Sequence, residues 1–161
     1  MFLQNLRAKM SARLKGEGEA GFTLIELLVV MLILGILAAI AIPAFFNQRD
    51  KGTDAQAKAA ARTAQTAIET FATEHGGSYL NADDDALQDI EPTLKLTGED
   101  NGIAVANADA DGYEVTSESA TGNDFTIARA GGAVTFSCEN AAGEQGEGGC
   151  PDDEGSGDWS K

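Results

Sequence analysis

The polar residues with the clearest chemical implication stand inside a long apolar run. Thr23 and Glu26 are the two polar side chains between Phe22 and Phe46, and Leu27 to Ile42 is apolar throughout. At ~1.5 Å per helical residue the run exceeds the ~30 Å hydrocarbon core of a bilayer, which predicts a membrane span. A charged and unpaired Glu26 would cost ~2.5–3.5 kcal/mol at mid-membrane. We therefore expect Glu26 to have a cationic partner.

The segment before the run differs from a secretory signal peptide. It carries Arg7, Lys9, Arg13 and Lys15 and ends in a small-residue junction at Gly21. In a signal peptide the cleavage site follows the apolar region, whereas here the junction precedes it. A cut after Gly21 would leave a free amine on Phe22, about one helical turn from Glu26. Two simpler interpretations are a basic-flanked membrane anchor and a glutamate that extends toward the interface.

Taken together, these features resemble a type IV prepilin. The resemblance rests on the basic leader ending in Gly21, on Phe22, Thr23 and Leu24, on Glu26, and on Pro43 within the apolar run. It implies that a prepilin peptidase cuts between Gly21 and Phe22 and methylates the amine of Phe22. It also implies that Glu26 meets the Phe22 amine of a neighbouring subunit and sets the axial register in a filament core.

One long helix is predicted to continue from the span to about Thr73. Small and apolar residues recur at three- and four-residue steps after the span, which indicates an amphipathic helix that buries one narrow face. They are Ala57, Ala61, Ala64, Ile68 and Phe71. Gly35 and Pro43 weaken the apolar half, because proline lacks an amide donor and clashes with the preceding turn. The resemblance implies that Ile36 to Ile42 opens in the filament, and a static kink is the alternative.

Beyond the helix, alternating residues predict a small sheet. Gly76 and Gly77 end the helix, and 78–101 is expected to be an exposed connection with a short helix at Asp83 to Ile90. Gly131 and Gly132 predict a two-residue hairpin loop, which fixes the register of the two strands and places three pairs of residues opposite each other. The pairs are Arg129 with Val134, Ile127 with Phe136, and Phe125 with Cys138. The predicted fold is α+β, with the long helix packed against an antiparallel sheet of about four strands.

The predicted organisation has four parts. They are a leader at 1–21, a transmembrane and filament-core helix at 22–46, an amphipathic helix at 47–75, and a β head at 76–161. Cys138 and Cys150 lie in the part expected outside the cell, where a disulfide would stabilise the fold by ~3 kcal/mol. The pair resembles the disulfide-bounded region of many pilins, and two free thiols or a metal site are the alternatives.

Composition argues against several functions. The chain has 161 residues and a net charge of -15, and residues 22–161 carry seven basic and 24 acidic side chains. Nucleic-acid binding is therefore not expected for the lone subunit. His75 is the one histidine, and no catalytic or cofactor motif stands out, so neither an enzyme nor a cofactor is expected. Acidic groups at Asp109 and Asp111 and at 152–158 leave a calcium hypothesis open, with a solvated surface as the alternative.

The sequence therefore predicts a structural subunit of a type IV pilus. Before assembly the subunit is expected to be a single-pass protein of the cytoplasmic membrane with its head outside. After assembly it is expected in an extracellular filament. Its expected partners are identical subunits in a helical polymer, a prepilin peptidase, and the platform protein and ATPase of the assembly machinery. A type II secretion pseudopilin and a membrane-anchored binding module that does not polymerise are the alternative functions.

Overall fold

The computed structural model describes residues 22–140, 149–150 and 158–160. The predicted leader and Gly21 lie outside these residues, as do the acidic positions 152–154. The contacts divide the chain into two compact units, Met1–Ile42 and Pro43–Lys161. Helix α1, Leu24–Glu74, is assigned as one helix that includes Pro43. Its predicted end is confirmed, because Gly76 and Gly77 have φ of 71° and 91° and the Gly77 N–H donates to the Ala72 carbonyl at 2.7 Å.

The head contains a five-stranded sheet and a second, short helix, α2, at Asp84–Ile90. The strands run in the spatial order β1 to β5, with bounds Lys95–Leu96, Gly102–Ala106, Tyr113–Glu118, Asp124–Ala130 and Ala133–Glu139. Strands β2 to β5 pair antiparallel, and β1 pairs parallel with β2. The α+β prediction is confirmed. The sheet has one strand more than expected because β1 has two residues, too few to show an alternation.

The predicted β4–β5 hairpin has the expected register. Arg129 pairs with Val134, Ile127 with Phe136, and Phe125 with Cys138. Gly131 and Gly132 both have positive φ, 58° and 83°, as a type I′ turn requires. Val134, beside the turn, is 37% exposed, whereas Phe125 and Ile127 are fully buried.

The core lies between the second half of α1, where the buried residues run from Asp54 to Ala72, and the inner face of the sheet. The buried helical residues include Ala57, Ala61, Ala64, Ile68 and Phe71, as predicted. Ala57 and Ala61 lie in the cluster of the β4–β5 face, and Ala64, Ile68 and Phe71 lie in a second cluster with residues of β2 and β3. Alanine is the smallest side chain with a Cβ, so the sheet can approach this helix face closely.

The prediction that residues 78–101 form an exposed connection is wrong in part. Tyr79, Ala82, Leu87 and Leu94 are buried in the same core cluster as Ile68. Helix α2 begins after its N-cap Asp83, whose side chain accepts the Ala86 N–H at 2.8 Å. Its seven residues, about two turns, bury Leu87, and a helix this short shows too few apolar residues for a periodic pattern to indicate a buried face.

Candidate assembly site

The first turn of α1 contains a reciprocal pair between Thr23 and Glu26. The backbone N–H and the hydroxyl of Thr23 both donate to Glu26 Oε2, at 2.9 and 2.7 Å. The Glu26 N–H in turn donates to Thr23 Oγ1 at 3.3 Å. This is the capping-box arrangement, in which two side chains satisfy free donors at a helix start. Glu26 Oε1 makes no hydrogen bond within the described chain, so this oxygen remains open to a further donor.

Phe22, the residue expected to become the amino terminus, is 83% exposed next to this pair. Gly21, on the other side of the expected cut, lies outside the described residues. From Phe22 onward the site presents a carboxylate, a threonine and an exposed aromatic ring at the start of the helix.

The rest of the span presents apolar side chains that are exposed within the described part of the chain. Its large hydrophobic residues are about half to three quarters exposed, and Leu24, Leu34 and Ile40 are examples at 75%, 55% and 72%. By length and composition α1 can cross a membrane. Because each exposed apolar Å² costs about 25 cal/mol in water, this surface requires lipid or another apolar surface around it.

Gly35 and Pro43, the predicted weak points, both lie inside α1. A Cβ added at Gly35 would meet no atom within 4 Å, so packing within the subunit does not require glycine there. Opening of the helix in a filament concerns an assembled state, and it stays a prediction.

A buried carboxylate that the sequence analysis missed fixes α1 to the head. Asp54 is fully buried, and Oδ1 accepts the hydroxyls of Ser119 at 2.7 Å and Thr121 at 2.5 Å. Its Oδ2 accepts Asn123 Nδ2 at 3.0 Å and the Gly149 N–H at 2.6 Å. Burial alone would raise the pKa of Asp54, but these hydrogen bonds lower it by more, so its pKa lies below the ordinary value. Asp54 thus stays ionised with four donors around it.

A second carboxylate, Glu69, joins α1 to the sheet nearer the end of the helix. Glu69 Oε1 accepts Arg129 Nη1 at 2.7 Å and the Tyr113 hydroxyl at 3.0 Å, and Oε2 accepts the Tyr79 hydroxyl at 2.9 Å. Burial raises the pKa of Tyr79, and its hydrogen bond to Glu69 raises it further. The phenols therefore remain donors at neutral pH, and the cluster holds the helix on β3 and β4.

The predicted disulfide between Cys138 and Cys150 is present, with the Cα atoms 5.8 Å apart. It holds Gly149 beside α1, where Lys58 Nζ donates to the Gly149 carbonyl at 2.5 Å. Trp159, which the sequence analysis also missed, is 3% exposed, and its Nε1 donates to the Ser137 carbonyl at 2.8 Å. Its ring meets Phe125 and Phe136 edge-on. The chain near its end thus covers the β4–β5 face.

The remaining candidates have local roles. His75 stacks on Phe71 at 3.9 Å between ring centroids, and its Nδ1 lies 2.8 Å from the Phe71 carbonyl at the helix end. Asp109 Oδ1 accepts the N–H groups of Asp111 and Gly112 and so closes a turn. Over residues 22–140, 149–150 and 158–160, no group of three or more His, Cys, Asp or Glu side chains could hold a metal.

Comparison with known proteins places this geometry in a family. Residues 18–42 match the model described as the prokaryotic N-terminal methylation motif. The chain is 46% identical over 54 residues to the type IV major pilin protein PilA of Myxococcus xanthus, which covers 34% of this chain and 24% of that protein. It is 46% identical over 61 residues to the prepilin peptidase-dependent protein D of Escherichia coli, covering 38% of this chain and 42% of that protein. These two matches therefore span less than half of each relative.

A third match extends into the head. The chain is 32% identical over 111 residues to the type IV narrow pilus major component PilA5 of Thermus thermophilus, covering 60% of this chain and 85% of that protein. No solved structure matches the chain. A long helix with an apolar first half, a second half packed on a small sheet, and a methylation motif at its start defines a pilin-type structural protein. The chain belongs to the type IV pilin family.

Proposed function

We propose that this chain is the structural subunit of a type IV pilus filament and that it polymerises through the apolar half of α1. The observation that carries the proposal is the start of α1, where the exposed ring of Phe22 and the carboxylate of Glu26 stand before a run of exposed apolar side chains. Packing such helices together in a filament core removes their apolar surface from water without a closed oligomer.

The proposed processing follows from the same residues. A prepilin peptidase cuts between Gly21 and Phe22 and methylates the Phe22 amine. This step creates a cation about one turn from Glu26, whose Oε1 is open to a donor. In the filament, the Phe22 amine of one subunit pairs with Glu26 of a neighbour. A membrane-buried carboxylate without such a partner is unfavourable by ~2.5–3.5 kcal/mol, and this favours addition of the subunit in one axial register.

The proposed topology places residues 22–46 in the cytoplasmic membrane before assembly, with residues 47–161 outside. The four basic residues of the leader would then lie on the cytoplasmic side, as the positive-inside rule predicts. The external location is consistent with the Cys138–Cys150 disulfide, because disulfides persist in oxidising compartments. A platform protein and an assembly ATPase are the partners that would move subunits from the membrane into the filament.

The experiment is intact mass and amino-terminal sequencing of protein from sheared cell-surface material, with Glu26→Ala as the variant. The wild-type chain should begin at Phe22, carry one added methyl group, and be two hydrogens lighter because of the disulfide. Glu26→Ala should be processed and present in the membrane fraction but absent from sheared filaments. Glu74→Ala, which removes a carboxylate from the other end of the helix, is the matched control and should assemble normally.

Two results would reject the proposal. One is a wild-type chain that keeps its leader or occurs in the membrane fraction alone, which would favour a membrane anchor. The other is normal filaments from Glu26→Ala, since the proposed pairing would then be unnecessary.

A further inference from the structure

A row of basic side chains on α1 lies on the β5 side of the head sheet, and a group of acidic side chains lies at the β1 edge. The strand order puts β1, with α2 beside it, at one edge and β5 at the other. Five strands at about 4.8 Å spacing separate these edges by about 19 Å, so side chains at one edge do not meet those at the other within one subunit.

The basic edge is formed by a row of three side chains on α1, Lys51, Lys58 and Arg62. Spacings of seven and four residues place all three on one face of the helix. Lys58 Nζ lies 5.1 Å from the ring centre of Phe125 in β4, and the Arg62 guanidinium lies 5.5 Å from that of Phe136 in β5. Both also lie within 6 Å of the Trp159 ring. The row therefore runs along the β5 side, where Lys51 and Arg62 are exposed.

The acidic edge is the segment from Asp83 to Asp100, which contains seven acidic residues and one lysine. Asp84 fixes α2 to the sheet by accepting the Val105 N–H at 2.6 Å. Four other side chains of the segment are exposed and make no hydrogen bond or ion pair among the described residues. They are Asp85, Asp89, Glu99 and Asp100. On this side α1 presents the neutral residues Thr63, Thr66 and Thr70 toward Ile90 and Glu91.

Within residues 22–140, 149–150 and 158–160 neither group of charges forms an ion pair, and Lys58 donates a hydrogen bond to the Gly149 carbonyl. The one ion pair among the described residues joins Arg129 to Glu69, inside neither group. At the same time residues 43–161 carry seven basic and 23 acidic side chains, so neighbouring heads repel one another overall. Contact between heads is least unfavourable where the few cations of one face the carboxylates of the next.

We propose that the basic row of one subunit, Lys51, Lys58 and Arg62, docks against the acidic edge of a second copy, at Asp85, Asp89, Glu99 and Asp100. This inference rests on the proposed filament function and names the lateral contact between heads. Different surfaces meet in it, so the contact is heterologous. One subunit of the pair keeps its acidic edge free and the other keeps its basic row free. Such a contact repeats without closing, as a filament requires, and it sets the direction in which the next subunit is added.

The test is complementation between two charge-reversed chains expressed with their full sequences. The first variant carries Lys51→Glu with Arg62→Glu, so both of its edges are acidic. The second carries Asp85→Lys with Asp89→Lys, so one edge is basic and the other largely freed of acidic charge. Each variant alone should yield roughly tenfold fewer sheared filaments than wild type, because like charges face each other in the first variant and most of the attraction is lost in the second. Together they should form filaments that contain both chains.

Matched controls separate this contact from net charge and from folding. Lys95→Glu changes charge in the same direction as the first variant but at the acidic edge, and Glu74→Lys with Asp111→Lys matches the second away from both edges. Both controls should assemble normally. The second variant and both controls should also show the wild-type melting temperature as detergent-solubilised subunits. The first variant should melt slightly lower, because Arg62→Glu removes the contacts of the guanidinium with the Phe136 and Trp159 rings.

Normal filaments from either edge variant alone would overturn the inference and leave the proposed function intact. So would failure of the mixture to recover while both subunits melt as expected. A larger fall in the melting temperature of the first variant with no recovery on mixing would assign the row a partner in its own chain, such as Asp152, Asp153 or Glu154, and would also overturn it. Filaments from Glu26→Ala would instead reject the proposed function.

Discussion

The N–H of Gly149 donates to Oδ2 of Asp54 at 2.6 Å, across 95 residues of sequence. Gly149 is the neighbour of Cys150, whose disulfide ends in β5, and Asp54 lies in α1. The same carboxylate holds Ser119 and Thr121 in the turn between β3 and β4. One side chain therefore connects the helix, a sheet turn and the disulfide loop. We expect the stability of this end of the head to depend on it.

Asp54→Asn is predicted to destabilise the head by about 1–3 kcal/mol. The amide keeps the shape of the carboxylate but directs two N–H groups at donors that need an acceptor. Chemical denaturation of the detergent-solubilised chain, followed by circular dichroism, measures the change. Asp50→Asn, four residues earlier and outside the buried set, removes the same charge and should have little effect. Equal stability of the two variants would show that the network contributes nothing.

Acid should weaken the head through the same group. The pKa of Asp54 is held below its ordinary value, whereas an unfolded aspartate titrates near 3.9. A lowered folded-state pKa gives stability that is complete above about pH 3.9 and is lost as the pH falls toward the folded-state pKa. The melting temperature should therefore decline as the pH falls below about 4, and Asp54→Asn should decline less. Parallel curves for the two proteins would contradict this.

Removing the disulfide should cost more than loop entropy alone. A 12-residue separation predicts a loss of about 3 kcal/mol for Cys138→Ser with Cys150→Ser. Without the bridge Gly149 is also free to leave Asp54, so the two perturbations act on one network. In a double-mutant cycle, Asp54→Asn should therefore cost less in the disulfide-free chain than in the oxidised one. Additive losses would mean that Gly149 keeps its place without the bridge.

The sequence was informative where local patterns repeat. The β4–β5 register was predictable because two alternations had to agree through Gly131 and Gly132, and a slip of one residue would have moved Phe125 or Phe136 to the other face. The buried face of α1 was predictable because Ala57, Ala61 and Ala64 recur at helical spacing. The expected pairing of Cys138 with Cys150 needed no long-range information, since no other cysteine exists.

The long-range polar contacts were not predictable by the same means. Asp54 is one of 26 acidic residues, and its hydrogen-bond partners lie 65 to 95 positions away with no shared motif. Glu69 lies outside the predicted alanine face of α1, and helical period alone does not show that Tyr79, Tyr113 and Arg129 converge on it. The start of α1 shows the opposite case. Thr23 and Glu26 are three residues apart, and this spacing is the sequence signature of the capping box that they form.

Trp159 is a buried residue that nothing near it in the sequence marks as part of the core. It follows a stretch of acidic residues and glycines, yet it lies against Phe125 and Phe136 and under the Arg62 guanidinium, 5.2 Å from the ring centre. Truncation of a buried aromatic side chain costs about 3–5 kcal/mol, so Trp159→Ala should destabilise the head by that order. Trp159→Phe should retain most of the stability and lose the hydrogen bond to the Ser137 carbonyl. Ser160→Ala, at an exposed neighbour, is the control. Denaturation followed by circular dichroism measures all three, and a Trp159→Ala protein as stable as the control would show that this contact with β4 and β5 does not contribute to stability.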